Sequence, residues 1–215
     1  GLAAITVMAG ATPSQAQFSG CGTPAASGSI FGPGGFLEFI NTNGSCAIGD
    51  KTYSDFNTAQ WGNFPIDATI NIAESGSEGL THTITLSSSN GFNSAGGPAQ
   101  YDFDYKIAVT SSQYLEWWRP ASTSSLGNPD YSVDTTATNP TITVSRDEFS
   151  GLSPQNFFNP NTTESFFTNT IIATADGPNA ITQTVNQVPG PLPILGVGAA
   201  FGFSRKLRAR IKNAG

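Results

Sequence analysis

A chain of 215 residues is long enough for one domain with a sizeable core, yet only 11% of it is charged, against roughly a quarter in ordinary globular domains. The 24 glycines and 14 prolines, with abundant Ser, Thr and Asn, suit strands and turns better than helices, while 38% apolar content with fifteen Phe argues against a disordered chain. Five of the nine basic residues fall in the last eleven positions and all fifteen acidic residues lie between Glu38 and Asp176, so the body carries a net charge of −11 and would repel nucleic-acid phosphates.

Residues 1–16 open the chain with an apolar, uncharged run that ends in Ser14-Gln15-Ala16. Small residues at 14 and 16 fit a signal-peptide cleavage site after Ala16, and this segment reads as the latter part of a signal peptide. A short buried element is the competing reading. Strand candidates follow. Residues 36–40 and 51–56 come first. Residues 66–74 alternate, with Ile66, Ala68, Ile70 and Ile72 on one face, and residues 80–88 place Leu80, His82, Ile84 and Leu86 together. In residues 101–109, Tyr101, Phe103, Tyr105, Ile107 and Val109 share one face, and Asp102, Asp104 and Lys106 share the other. Residues 141–145, 166–174 and 181–188 complete the set, with Gly-, Pro- and Asn-rich turns between them. Short strands at this spacing predict an all-β protein. The expected fold is one antiparallel β-sandwich over residues 17–187, either jelly-roll or immunoglobulin-like. No internal repeat is apparent, which argues against a solenoid or propeller.

Cys21 and Cys46 are the only cysteines, and in an exported chain they are expected to pair. Two Cys and one His do not supply a zinc site. A Ser-His-Asp triad would have to use His82, which falls on the apolar face of a strand and reads as a satisfied core or edge histidine. Paired carboxylates for glycoside hydrolysis could come from Asp102 and Asp104, or from Asp147 and Glu148; solvated strand-face and turn acids are the plainer reading. No cofactor is implied. A structural calcium ion could be drawn from Asp102 and Asp104, or from Asp130 and Asp134 with Asn128, although neither set follows an EF-hand pattern. Trp61, Trp117 and Trp118, with Tyr114, are either core residues or a sugar-stacking platform. On a strand, Trp117 and Trp118 point to opposite faces, which would leave one in the core and the other partly exposed.

The C-terminal residues 188–215 form a separate tail. Val188, Pro189, Gly190 and Pro191 precede an apolar run of Leu192, Pro193, Ile194, Leu195, Gly196, Val197, Gly198, Ala199, Ala200, Phe201, Gly202 and Phe203. A basic cluster follows: Arg205, Lys206, Arg208, Arg210 and Lys212. The apolar run makes only about 18 Å of helix, against a hydrocarbon core of about 30 Å. It is therefore a short hydrophobic helix that spans a membrane only with help from snorkelling Arg and Lys, and its basic end stays cytoplasmic. This Pro motif, short apolar stretch and terminal basic cluster resemble the PEP-CTERM sorting signal, in the variant of cyanobacterial surface proteins. The resemblance implies recognition and processing by a membrane-embedded exosortase. Gly190 stands where the name-giving motif has Glu. Cys46-Ala47-Ile48-Gly49-Asp50-Lys51-Thr52-Tyr53-Ser54-Asp55-Phe56 also resembles the N-terminal part of PEP-CTERM surface proteins of unassigned activity.

The expected protein is exported, sits at the cell surface or in the extracellular matrix, and is not an enzyme. Its partners would be the export machinery, an exosortase, the membrane before processing, and extracellular polysaccharide. A carbohydrate-binding module is the first alternative and a glycan-active hydrolase the second. An exposed aromatic row on one sheet would favour the module. Two carboxylates facing each other across a cleft would favour the hydrolase.

Overall fold

The computed structural model describes residues 18–22, 25–57, 64–75, 80–93, 99–109, 113–124, 129–147 and 153–189. In chain order these form β1 (Ala25–Ser29), α1 (Phe36–Asn43), β2 (Ser45–Ile48), β3 (Lys51–Ser54), β4 (Thr69–Ser75), β5 (Thr81–Ser87) and β6 (Ala99–Val109). There follow β7 (Gln113–Thr123), β8 (Tyr131–Ala137), β9 (Ile142–Asp147), β10 (Asn156–Phe157), β11 (Glu164–Ala173) and β12 (Ala180–Pro189). The strands make two six-stranded antiparallel sheets. Sheet A has the order β1-β4-β5-β12-β7-β10, and sheet B has the order β2-β3-β6-β11-β8-β9.

The expected β-sandwich is therefore present, and its strand order distinguishes the two topologies that the sequence left open. From β5 onward, β5 pairs with β12, β6 with β11, β7 with β10 and β8 with β9, with the pairs falling alternately in sheets A and B. Nested pairs of this kind are one long antiparallel hairpin wound over both sheets, which is a jelly roll. The edges are held by short strands, notably the two-residue β10.

Alternation sets the two faces. On β6, Tyr101, Phe103, Tyr105 and Ile107 are buried, and they meet Phe167 and Ile171 of β11 in one core. Trp118 of β7 is fully buried and stands edge-on to Phe167, with ring centroids 5.6 Å apart. On β4, Ile70 and Ile72 point inward with the neighbouring Ala68. Ile66 does not join them: it is 71% exposed, because the chain enters β4 only at Thr69.

Residues 36–40 are not a strand. Phe36–Asn43 is an α-helix that buries Phe36 and Ile40. The run Phe-Leu-Glu-Phe-Ile carries its apolar residues at helical spacing, and i, i+4 is what buries these two side chains on one face. Glu38 reaches back to accept from the Gly34 N–H at 2.6 Å, and Gly44 closes the helix with φ +71°. Gly35 is obligatory at the helix start, since a Cβ there would lie 2.6 Å from the Phe31 carbonyl oxygen.

Cys21 and Cys46 form a disulfide, with Cα atoms 5.2 Å apart, that ties the segment before β1 to β2. Val188 and Pro189, read from the sequence as the start of the tail, belong to β12 and pair with Tyr114 and Gln113 of β7. Residues 1–16 and 190–215, and with them the rest of the expected signal and sorting segments, lie outside the described residues.

Candidate functional site

The outer face of sheet A is built from polar β-branched residues and one aromatic group. Cross-strand rows run Asn71-Thr85-Thr182-Ala121, then Ala73-Thr83-Thr184-Arg119, then Ser75-Thr81-Asn186-Trp117. Thr residues favour strands through their stiff χ1, and on this face their hydroxyls bond sideways: Thr85 to Thr182 at 3.2 Å and Thr81 to Asn186 at 2.9 Å.

The aromatic group sits where β7 meets the short edge strand β10. Trp118 points into the core, so Trp117 is turned outward and is half-buried. Phe157 of β10 pairs directly with Trp117 and is 58% exposed. A register shift between Asn186 and Gln187 leaves Glu116 as an extra residue on β7. This bulge places Glu116 and Trp117 together opposite Asn186. Asn186 fixes the Glu116 carboxylate by donating to it at 2.8 Å, and the Arg119 guanidinium lies 6.0 Å from the centre of the Trp117 ring. One apolar, electron-rich surface is thus bordered by a cation, a carboxylate and a carboxamide.

At the other end of the same face lies an open depression of about 510 Å³. It is lined by Asp67, Thr69, Ser87, Ser88, Ser89, Asn179 and Ala180. Asp67 accepts from Ser88 Oγ, from Ser89 N and Oγ, and from Asn90 N and Nδ2 at 2.5–3.2 Å. Burial opposes ionisation of Asp67, but the bonds from Ser89, Ser88 and the Asn90 backbone outweigh it and hold its carboxyl below the usual range. From Ala180 to Asn186 the strand covers about 20 Å, so depression and aromatic pair bracket a track of about that length on one face.

The remaining candidates are placed as follows. His82 is fully buried between the sheets, with Nδ1 3.4 Å from the Tyr53 hydroxyl and Nε2 3.5 Å from Asp50 and 4.0 Å from Glu74. It is a core histidine in an acidic and phenolic surround. Asp102 and Asp104 lie on the outer face of sheet B, where Thr170 and Gln100 bond to Asp102. Burial raises the pKa of Asp104, and the Asp102 charge adds to this, while hydrogen bonds from the Asn169 backbone and Asn57 oppose it. Register places Asp134 in the same cross-strand row as Asp102, beyond Thr170, on a sheet face and not across a cleft. Among the described residues no group of three or more His, Cys, Asp or Glu is arranged to hold a metal. Trp61, Asn128 and Glu148 lie outside the described residues. Sequence reasoning missed Phe157, because Ser153-Pro154 and Asn159-Pro160 on either side mask a two-residue strand.

No protein-family description matches the chain, and no curated protein is significantly similar to it. Among solved structures, the chain is similar to TmCBM61 determined in complex with β-1,4-galactotriose, at 6% identity and a TM-score of 0.26. The match covers 55% of this chain and 88% of that one.

Proposed function

We propose that this chain is a non-enzymatic surface protein that binds extracellular polysaccharide along the outer face of sheet A. The observation that carries this reading is the pairing of Trp117 with the 58% exposed Phe157, bordered by Arg119 and by the Asn186-held Glu116. A contiguous exposed apolar patch rimmed by polar groups marks an interaction surface or ligand groove. A sugar ring offers one apolar face to an aromatic surface and its hydroxyls to the charged and amide groups around it. The threonine rows then supply further hydroxyls along an extended chain.

Export and sorting belong to the same proposal. The disulfide suits an oxidising compartment. The tail's Pro motif, short apolar run and basic cluster support processing by an exosortase, leaving the sandwich at the cell surface.

Binding of the full chain to a panel of neutral and acidic polysaccharides tests the first part. Saturable binding is expected, weakened about tenfold or more in Trp117→Ala and Phe157→Ala. Binding untouched by both substitutions would overturn the assigned face. Mass spectrometry of mature protein from the producing cell tests the second part. No peptide from residues 204–215 should remain, and an intact C-terminus would contradict processing.

A further inference from the structure

Lys51, Gln187 and Asp50 form a compact set between the two sheets, apart from the aromatic face. Lys51 lies on β3 in sheet B and its side chain is completely buried. Its Nζ donates to Gln187 Oε1 at 2.5 Å and to Asp50 Oδ1 at 3.2 Å. Gln187 lies on β12 in sheet A and is 1% exposed. Its amide nitrogen donates to the other oxygen of Asp50, and to Gln113 Oε1 at 2.5 Å. One carboxylate therefore touches an amine through one oxygen and a carboxamide nitrogen through the other.

That geometry points to an intramolecular isopeptide bond: we propose that Lys51 Nζ joins Gln187 Cδ, with Asp50 carrying the proton between the two nitrogens. The electrophilic Cδ is bonded to the oxygen that Nζ already touches, about 1.2 Å farther along the carbonyl. The uncharged amine attacks Cδ, and the carbonyl electron pair moves onto Oε1. The attacking nitrogen gives one proton to Asp50 Oδ1, and the carboxyl returns one proton to Nε2. The Cδ–Nε2 bond breaks, the carbonyl reforms, and ammonia leaves. A primary amine and a primary amide become a secondary amide and ammonia, with no oxidant, nucleotide or metal consumed.

Three features favour this step. The amine must be uncharged, and burial lowers the Lys51 pKa to about 8 against the opposing pull of Asp50 and Glu74. A primary amide is a poor electrophile, but fixing both groups in one dry site can supply effective molarities of about 10⁵–10⁸ M. The hairpin turn also holds Asp50 in place. Gly49 takes φ +57° at the first central position, and a Cβ there would meet the Glu74 carboxylate at 2.1 Å. Glu74 and Asp50 both face His82 Nε2, and Tyr53 faces its Nδ1, so the surrounding groups can hold the shuttled proton inside the site. The product would staple sheet A to sheet B across 136 residues, in the stretch of chain that follows the Cys21–Cys46 loop.

Peptide mapping of the folded full chain by mass spectrometry, after reduction, tests the proposal. The expected result is a branched pair of peptides joining Lys51 to Gln187 and lighter by one ammonia, with no tryptic cleavage after Lys51. Recovering both residues only in linear, unmodified peptides from folded protein would overturn it. Refolding from denaturant supplies the kinetic arm. Asp50→Asn should refold, as judged by circular dichroism, but join at least tenfold more slowly; an unchanged rate would remove Asp50 from the reaction. Lys51→Arg should give only linear peptides, and any branch that persists in it would place the bond elsewhere.

Discussion

Gln183 of β12 donates its side-chain amide to Asn169 of β11, linking the two sheets through the centre of the sandwich. The same Gln183 accepts from the Tyr105 hydroxyl and reaches Thr135 Oγ1 at 3.3 Å. Thr135 donates to Asn169 at 3.0 Å, and Asn169 donates to the Phe103 carbonyl at 2.9 Å. Every member of this network is buried and has a partner. Such a network fixes the register of two otherwise smooth apolar faces. Gln183→Leu keeps the volume but leaves the Tyr105 hydroxyl and the Asn169 carbonyl without their Gln183 bonds. It should cost about 2–3 kcal/mol, read as a lower denaturant midpoint with an unchanged slope.

Trp117 and Trp118 are neighbours with opposite duties. Trp118 packs edge-on against Phe167 and fills the core, whereas Trp117 lies on the outer face under Arg119. Trp118→Ala should destabilise by about 3–5 kcal/mol, through lost burial and the cavity left behind. Trp117→Ala should cost about 1 kcal/mol or less in stability while weakening polysaccharide binding. Thermal unfolding and binding measured on the same pair of variants separate the two roles. Equal losses of stability would mean that Trp117 is a packing residue.

How far this could be read in the residues follows from what alternation detects. β6 alternates aromatic with acidic residues, and both its faces are legible at once. β8 alternates too, with Tyr131, Val133 and Ala137 buried, but its neighbouring Asn-Pro and Gly residues disguise it as a turn. β7 does not alternate cleanly, because the bulge at Glu116 puts the period out of step and Pro120 sits in mid-strand. A five-residue segment such as 36–40, apolar but for Glu38, is too short for period alone to separate helix from strand. The inward Gln183 and Gln187 are invisible to any reading that assigns polar residues to solvent, because what makes them stable inside is a partner on another strand. The aromatic pair is hidden for the same reason: Phe157 gains meaning only from its register with Trp117. The nested strand order likewise depends on long-range pairing, which no local pattern encodes.

Asp67 and Asp104 should pull acid stability in opposite directions. The hydrogen bonds from residues 88–90 prevail over burial and hold the Asp67 pKa below its ordinary 3.8. Its contribution is therefore fully present above the unfolded value and is lost as pH falls through the folded one. For Asp104, burial raises the folded pKa. Its charge costs stability at neutral pH, and the cost disappears as pH falls through the raised folded value towards the unfolded one. Asp67→Asn should thus be less stable than the parent at neutral pH, with the gap narrowing in acid. Asp104→Asn should be equal to the parent or more stable at neutral pH, with its advantage vanishing in acid. Denaturation curves at a series of pH values check both signs, and parallel profiles for the two variants would contradict the assignment.

The disulfide ties an irregular segment ahead of β1 to the buried start of β2. Cys46 is completely buried beside Ile48 and Tyr53, while Cys21 lies in an irregular stretch outside any strand. Closing a loop with a sequence separation of 25 removes about 3–4 kcal/mol of unfolded-state entropy in the chain-entropy model. Cys21→Ser with Cys46→Ser should lower stability by that order, with the larger part arising in the unfolded chain. A second consequence follows from where the bond sits. The jelly-roll strands β5–β12 lie entirely outside its loop, so their pairing does not depend on it. Reduction should therefore expose backbone amides in β1, α1 and β2 to hydrogen exchange well before those of β11 and β12. Uniform loss of protection across both sheets on reduction would show instead that the N-terminal unit and the jelly roll unfold as one.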